Sequence, residues 1–216
     1  MILNMKKYKT EQEEFWAGEF GNEYVNRNNS EVLFASNLAL FSRILQRTAE
    51  VKTIIEYGAN IGMNLSAIHT LLPNASLSAV EINERATEQL EKLNCVNVFK
   101  QSILDFSPNG QYDFVLIKGV LIHINPDELI NVYEKMYNTS KKYICIAEYY
   151  NPAPVQINYR GHQNKLFKRD FAGEMLEKYN LTLIDYGFVY HRDPCFPQDD
   201  ITWFLLEKSP NNQELF

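Results

Sequence analysis

From residue 51 onward the chain alternates short β-branched runs with helical stretches, and the first junction, Thr53 to Asn64 (TIIEYGANIGMN), most restricts the fold. Val51 to Ile55 is apolar and short enough to be a buried strand, and Gly58-Ala59-Asn60-Ile61-Gly62 lets the backbone turn tightly into a helix. A strand turning through small residues into a helix is the shape of a nucleotide-binding corner. The dinucleotide fingerprint reserves for glycine the places held here by Gly58, Asn60 and Met63. A G-x-G-x-G turn falls on Gly58, Asn60 and Gly62, and Asn is the non-glycine residue that best tolerates left-handed backbone. The second spacing fits better.

The same alternation continues. Strands are expected at Lys52 to Tyr57, Ser76 to Glu81, Val96 to Lys100, Tyr112 to Lys118 and Tyr143 to Tyr149, then at Leu181 to Tyr190 and Ile201 to Glu207. Helices follow the first two strands, the second of them capped by Asn83. Asn125-Pro126-Asp127-Glu128 supplies a cap, a proline and two acids at the start of another helix. A Pro- and Asn-rich loop after Tyr149 leads to a helix near Arg169 to Tyr179. This order predicts an α/β fold, a Rossmann-like doubly wound sheet covered on both faces, with ligands outside the carboxyl ends of the strands.

Two helices precede the alternation. Thr10-x-x-Glu13 has the form of a capping box opening an aromatic-rich helix in which Gly18 and Gly21 are candidate breaks, and Ser30 caps a second. The expected organisation is a helical N-terminal extension over 1–50 that acts as a lid, one domain over 51–208, and a frayed tail over 209–216. With 216 residues and 45% hydrophobic content, the chain can bury one substantial core. Cys95, Cys145 and Cys195 form no C-x-x-C pair, so neither a metal site nor a disulfide framework is indicated. No stretch reads as a signal peptide or a membrane span, which makes the cytoplasm the expected compartment. A net charge of −6 argues against broad binding to nucleic acid.

Glu81 closes the second strand at about the twenty-residue distance from Gly58 at which an acid grips a ribose. Trp16, Phe20 and Tyr24 recur every fourth residue on one helical face, suited both to packing and to lining a site. His123 can take a proton from an acceptor hydroxyl or serve as a hydrogen-bonded structural residue. The segment from Glu148 to Arg169 gathers Tyr149, Tyr159, Arg160, His162, Lys165 and Lys168 in an otherwise acidic protein, and Arg160 and Lys165 can grip phosphate or carboxylate.

From Val51 to Glu207 the sequence resembles the class I S-adenosylmethionine-dependent methyltransferases, through EYGANIG, AVEIN and YDFVLIKGVLIHI. The resemblance implies a seven-stranded sheet whose last strand is antiparallel. It implies S-adenosylmethionine as cofactor, held by Glu56, Gly58, Ala59, Asn60 and Gly62 at the first strand and by Glu81 and Ile82 at the second. Ser102, with Ile103 beside it, stands where the family commonly has an acid for the adenine amino group. Lys118, Gly119 and Val120 would border the methionine part, and His123 takes a place often filled by histidine. EQEEFWAGEFGNEYVNRN and YRGHQNKLFKRDFAGEML are similar to a narrower group, the pseudaminic acid biosynthesis-associated methylases. That likeness implies a sugar or nucleotide-sugar acceptor; together with the cationic loop it makes a small anionic sugar-type acceptor the expectation, with Trp16, Tyr24, Tyr149, Tyr159, Arg160 and Lys165 as its expected contacts. The alternatives are a nicotinamide-dependent oxidoreductase, disfavoured by Met63, and a non-catalytic cofactor-binding subunit.

Overall fold

The protein is described by a computed structural model covering residues 8–27 and 30–209. Helices α1 (Glu11–Ala17), α2 (Glu19–Val25) and α3 (Glu31–Leu45) precede β1 (Thr53–Tyr57) and α4 (Met63–Leu71). Then come β2 (Ser76–Glu81), α5 (Glu84–Leu90), β3 (Val96–Lys100), β4 (Tyr112–Lys118), α6 (Leu129–Thr139) and β5 (Ser140–Glu148). The chain continues through β6 (Val155–Tyr159), β7 (His162–Lys168), α7 (Phe171–Lys178), β8 (Leu181–Val189) and β9 (Ile201–Lys208).

Seven strands form one sheet in the order β3-β2-β1-β4-β5-β9-β8. The first five strands run parallel, while β9 is antiparallel to both β5 and β8. Period-two alternation sends Ile55, Tyr57, Val115, Ile117 and Ile144 to one face, where α6 and α7 cover them with Val132, Met136, Phe171 and Met175. It sends Ile54, Ala79, Leu116, Cys145 and Trp203 to the other, where α3 and α4 supply Leu40, Phe41, Ile44, Leu65 and Ile68. Phe41 and Trp203 have no exposed surface, and burying each large side chain contributes about 2–3 kcal/mol.

The caps lie where the sequence places them. Thr10 Oγ1 accepts from Glu13 N while the Glu13 carboxylate accepts from Thr10 N, completing the capping box of α1. Ser30 and Asn83 cap α3 and α5 through Leu33 N and Ala86 N. The aromatic-rich helix is broken at Gly18, whose extended backbone (ψ −153°) separates α1 from α2, so three helices rather than two precede the sheet.

The expected loop after Tyr149 is instead a second, two-stranded sheet, β6 paired antiparallel with β7. Arg160 (φ 51°) and Gly161 (φ 87°) form its two-residue turn, the sign pattern that matches the right-handed twist of a hairpin. Most of the tail expected to fray, 210–216, lies outside the described residues.

Candidate active site

A cavity of about 630 Å³ opens at the carboxyl edge of β1, β2 and β4, under α1 and α2. Its floor is the glycine turn. Gly58 N and Ala59 N both donate to Val80 O, at 2.8 and 3.3 Å, which ties the turn to β2. Gly58, Asn60 and Gly62 all have positive φ (75°, 49° and 82°), so the asparagine sits in the left-handed conformation expected of it. A side chain at Gly58 would fall 2.6 Å from Val120 Cγ2, and one at Gly62 would fall 2.5 Å from Leu90 Cδ1. Gly62 therefore fixes the turn against α5 and does not itself line the cavity.

Glu81 hangs over this floor. Its carboxylate accepts from Asn60 N at 2.7 Å and from Asn83 N at 2.8 Å, which fixes both oxygens at the rim of the turn. Ile82, Ile103 and Leu104 form an apolar slot beside it, and Ser102 lies at the slot's edge. Glu56 lies beneath the cavity rather than on its wall. Asn64 Nδ2 donates to its Oε1 at 2.6 Å, Oε2 is buried without a partner, and burial raises its pKa to about 8. Lys118, Gly119 and Val120 form the wall over β4. Burial pulls the Lys118 pKa down, against the opposing pull of Glu56, Asp199 and Glu148. Gly119 has φ 67° and nothing within 4 Å of where a Cβ would stand, so its backbone faces open space. Glu148, at the end of β5, accepts from Val120 N and Leu121 N at 2.9 and 2.8 Å and holds this wall in place. Burial raises its pKa to about 7.

His123 forms the opposite wall. Its Nδ1 lies 2.5 Å from the Lys165 carbonyl oxygen, and burial lowers its pKa to about 4. Above it, Trp16 and Tyr159 stand 4.6 and 4.9 Å away, centroid to centroid. Tyr24, Tyr149 and Arg160 line the cavity as well, Arg160 from the exposed hairpin turn.

Lys165 does not stand where an acceptor contact is expected. Its ammonium does not line the cavity but pairs with Glu11 at 3.1 Å and lies 5.4 Å from the Phe15 ring, so it fastens the hairpin to α1. The α1–α2 segment is secured further by Gln12 Nε2 donating to Asn164 O at 2.9 Å and by Asn83 Nδ2 donating to Trp16 O and Asn22 Oδ1 at 3.0 Å.

Several wall residues escape a sequence reading. Asn37 of α3 is 1% exposed with Oδ1 unpartnered, and Gln198 between β8 and β9 is 6% exposed with neither amide atom partnered. Asn37 had a faint signal, as a polar residue on the otherwise apolar face of LFASNLALF. Gln198 had none, because nothing in its own segment tells which strand ends the β8–β9 connection meets. Trp16 Nε1 and Gln12 Oε1 are likewise buried without partners in the cavity wall. Buried amide and indole groups left unpaired are costly, so the cavity is shaped for a polar ligand that pairs them.

The strand order and glycine turn define the class I methyltransferase fold, and solved structures share it. The 1,6-didemethyltoxoflavin-N1-methyltransferase of Burkholderia thailandensis, bound to its toxoflavin precursor and S-adenosylhomocysteine, superposes with a TM-score of 0.67 at 14% identity, over 92% of this chain and 87% of that one. The plantazolicin methyltransferase BpumL in complex with S-adenosylhomocysteine gives 0.65 at 17% identity, over 92% and 94%. Magnesium protoporphyrin IX methyltransferase of Synechocystis, with S-adenosylmethionine bound, gives 0.64 at 11% identity, over 95% and 100%. No protein-family model and no curated protein matches the sequence. Among the described residues no helix is long and apolar enough to cross a membrane.

Proposed function

We propose that this protein transfers a methyl group from S-adenosylmethionine to a hydroxyl or amino group of a small polar molecule. The observation that carries this reading is Glu81, held at both oxygens above a turn of three positive-φ residues, at one end of a cavity that runs to Lys118 and His123. The residues present fit the cofactor. Glu81 suits the ribose hydroxyls, the open backbone at Gly119 and the Lys118 ammonium suit the amino-acid end, and the apolar slot at Ile82 and Ile103 suits the base.

When bound, S-adenosylmethionine supplies a methyl group already activated by its sulfonium. The chain's part is alignment, exclusion of water and proton handling. A carbonyl oxygen only accepts, so the Lys165 carbonyl fixes His123 as the Nδ1–H tautomer and leaves the lone pair on Nε2. His123 can then hold the acceptor's hydroxyl or amine by its proton and take that proton as the new bond forms. Trp16 and Tyr159 close over the ring and keep bulk water from it.

The finer reading is a sugar-type acceptor. Aromatic faces beside unpartnered amides, as at Trp16, Tyr159, Gln12 and Gln198, suit a compound with apolar C–H faces and hydroxyl edges. Arg160 at the mouth supplies a cation for an anionic substituent, the role that Lys165 does not fill. The test is release of S-adenosylhomocysteine with panels of amino sugars, sugar acids and nucleotide sugars, set against peptide and planar aromatic panels. Turnover confined to peptides or aromatics would reject the sugar reading.

A further inference from the structure

The corner of the cavity over β3 holds a carboxylate that comes from far away in the sequence. Glu13 of α1 is 8% exposed, lines the cavity, and bonds through Oε1 to the Ser102 hydroxyl. Its Oε2 is used within the helix cap, accepting from Lys9 N and Thr10 N at 2.8 Å and from Thr10 Oγ1 at 3.3 Å. Ser102 Oγ is committed too, accepting from Leu104 N at 3.0 Å while donating to Glu13. Among the described residues Glu13 forms no ion pair, and Oε1 has Ser102 as its one hydrogen-bond partner, which leaves that oxygen able to accept again.

The surroundings say what it would accept from. Ile82, Ile103 and Leu104 make a slot with apolar walls, and its edge is this acceptor-only group. Glu81 closes β2, and β3 is the next strand outward, about 4.8 Å further from β1. A nucleoside whose ribose is held at Glu81 therefore has its base directed into the slot. Adenine is flat and apolar on its faces and carries an exocyclic amino donor at its edge.

We propose that Glu13 reads the base of the cofactor, accepting a hydrogen bond from the adenine amino group. The proposal rests on the S-adenosylmethionine reading above and adds a specificity-determining residue from outside the sheet domain. The same carboxylate caps α1 through Oε2, so Glu13 serves the helix with one oxygen and the base with the other.

Calorimetric titration of S-adenosylhomocysteine and S-inosylhomocysteine, which carries an oxo group in place of the amino group, tests this. Wild-type protein should prefer the adenosyl compound by on the order of tenfold or more, since a hydrogen bond to a charged acceptor is lost and an oxygen then faces it. Glu13→Gln keeps the capping box, which accepts Glu or Gln at that position, and its amide can serve either base. The preference should fall to about threefold or less in that variant. Thr10→Ala breaks the cap while leaving the carboxylate in place, and should lower thermal stability without changing the ratio. An unchanged ratio in Glu13→Gln, or an equal collapse in Thr10→Ala, overturns the role of Glu13. Wild-type protein that binds neither compound overturns the cofactor itself.

Discussion

Lys165 presents its carbonyl oxygen to His123 Nδ1 at 2.5 Å and its ammonium to Glu11 at 3.1 Å, so one residue sets a tautomer in the cavity wall and fastens α1. The two roles separate by mutation, because one uses the backbone and the other the side chain. Lys165→Ala should leave the tautomer intact and loosen α1, raising its hydrogen exchange. The ion pair is half exposed at Glu11, so the loss in global stability should be about 1 kcal/mol or less. Arg160→Ala should leave α1 exchange unchanged and raise the acceptor KM alone. Equal exchange in wild type and Lys165→Ala would refute the fastening role.

If His123 takes the acceptor's proton as proposed, it should govern the acid side of the pH profile. Its pKa is lowered to about 4, so the ring is neutral and able to accept a proton throughout the neutral range. Turnover should persist through the ordinary histidine range and fall only as pH approaches about 4, provided the protein remains folded. His123→Gln, which can keep the hydrogen bond to Lys165 O but cannot take a proton, should lower kcat by a factor on the order of 100 or more. A wild-type profile with its acid limb near 6.5, the usual histidine value, would contradict this environment.

Much of this arrangement is legible in the sequence because it is local. The glycine turn, the carboxylate ending β2 and the caps at Thr10, Ser30 and Asn83 are each set by a few neighbouring residues, and the sheet follows from the strand and helix periods. The β6–β7 hairpin was hidden because Val155-Gln156-Ile157-Asn158-Tyr159, though alternating, is short, exposed and preceded by Asn151-Pro152-Ala153-Pro154, and β7 opens on the polar His162-Gln163-Asn164, although Arg160-Gly161 is a recognisable turn pair. Contacts such as Glu13 with Ser102 and Lys165 with Glu11 join segments whose distance apart in sequence carries no period at all.

Glu56 should make the ligand-free protein less stable at alkaline pH. Its folded pKa of about 8 lies above the unfolded carboxylate value, so its contribution is fully present below that unfolded value and is lost as pH rises through 8. Glu148, raised to about 7, acts in the same direction, while His123 acts oppositely but only between about 4 and 6.5. Melting temperature should therefore fall from about pH 5 to about pH 8, and Glu56→Gln, which can keep the bond from Asn64, should shrink that fall. Identical pH dependence in the two proteins would show that Glu56 does not carry the effect.

The central claim is that Glu81 and the glycine turn hold S-adenosylmethionine. It is tested most directly by calorimetric titration of S-adenosylhomocysteine and of NAD into wild-type protein and Glu81→Ala. The predicted result is measurable binding of S-adenosylhomocysteine, none of NAD, and a loss on the order of 1.5–3 kcal/mol in the folded variant as hydrogen bonds to the carboxylate disappear. Tight binding of NAD with no response to S-adenosylhomocysteine, or equal affinity for the latter in both proteins, would contradict it.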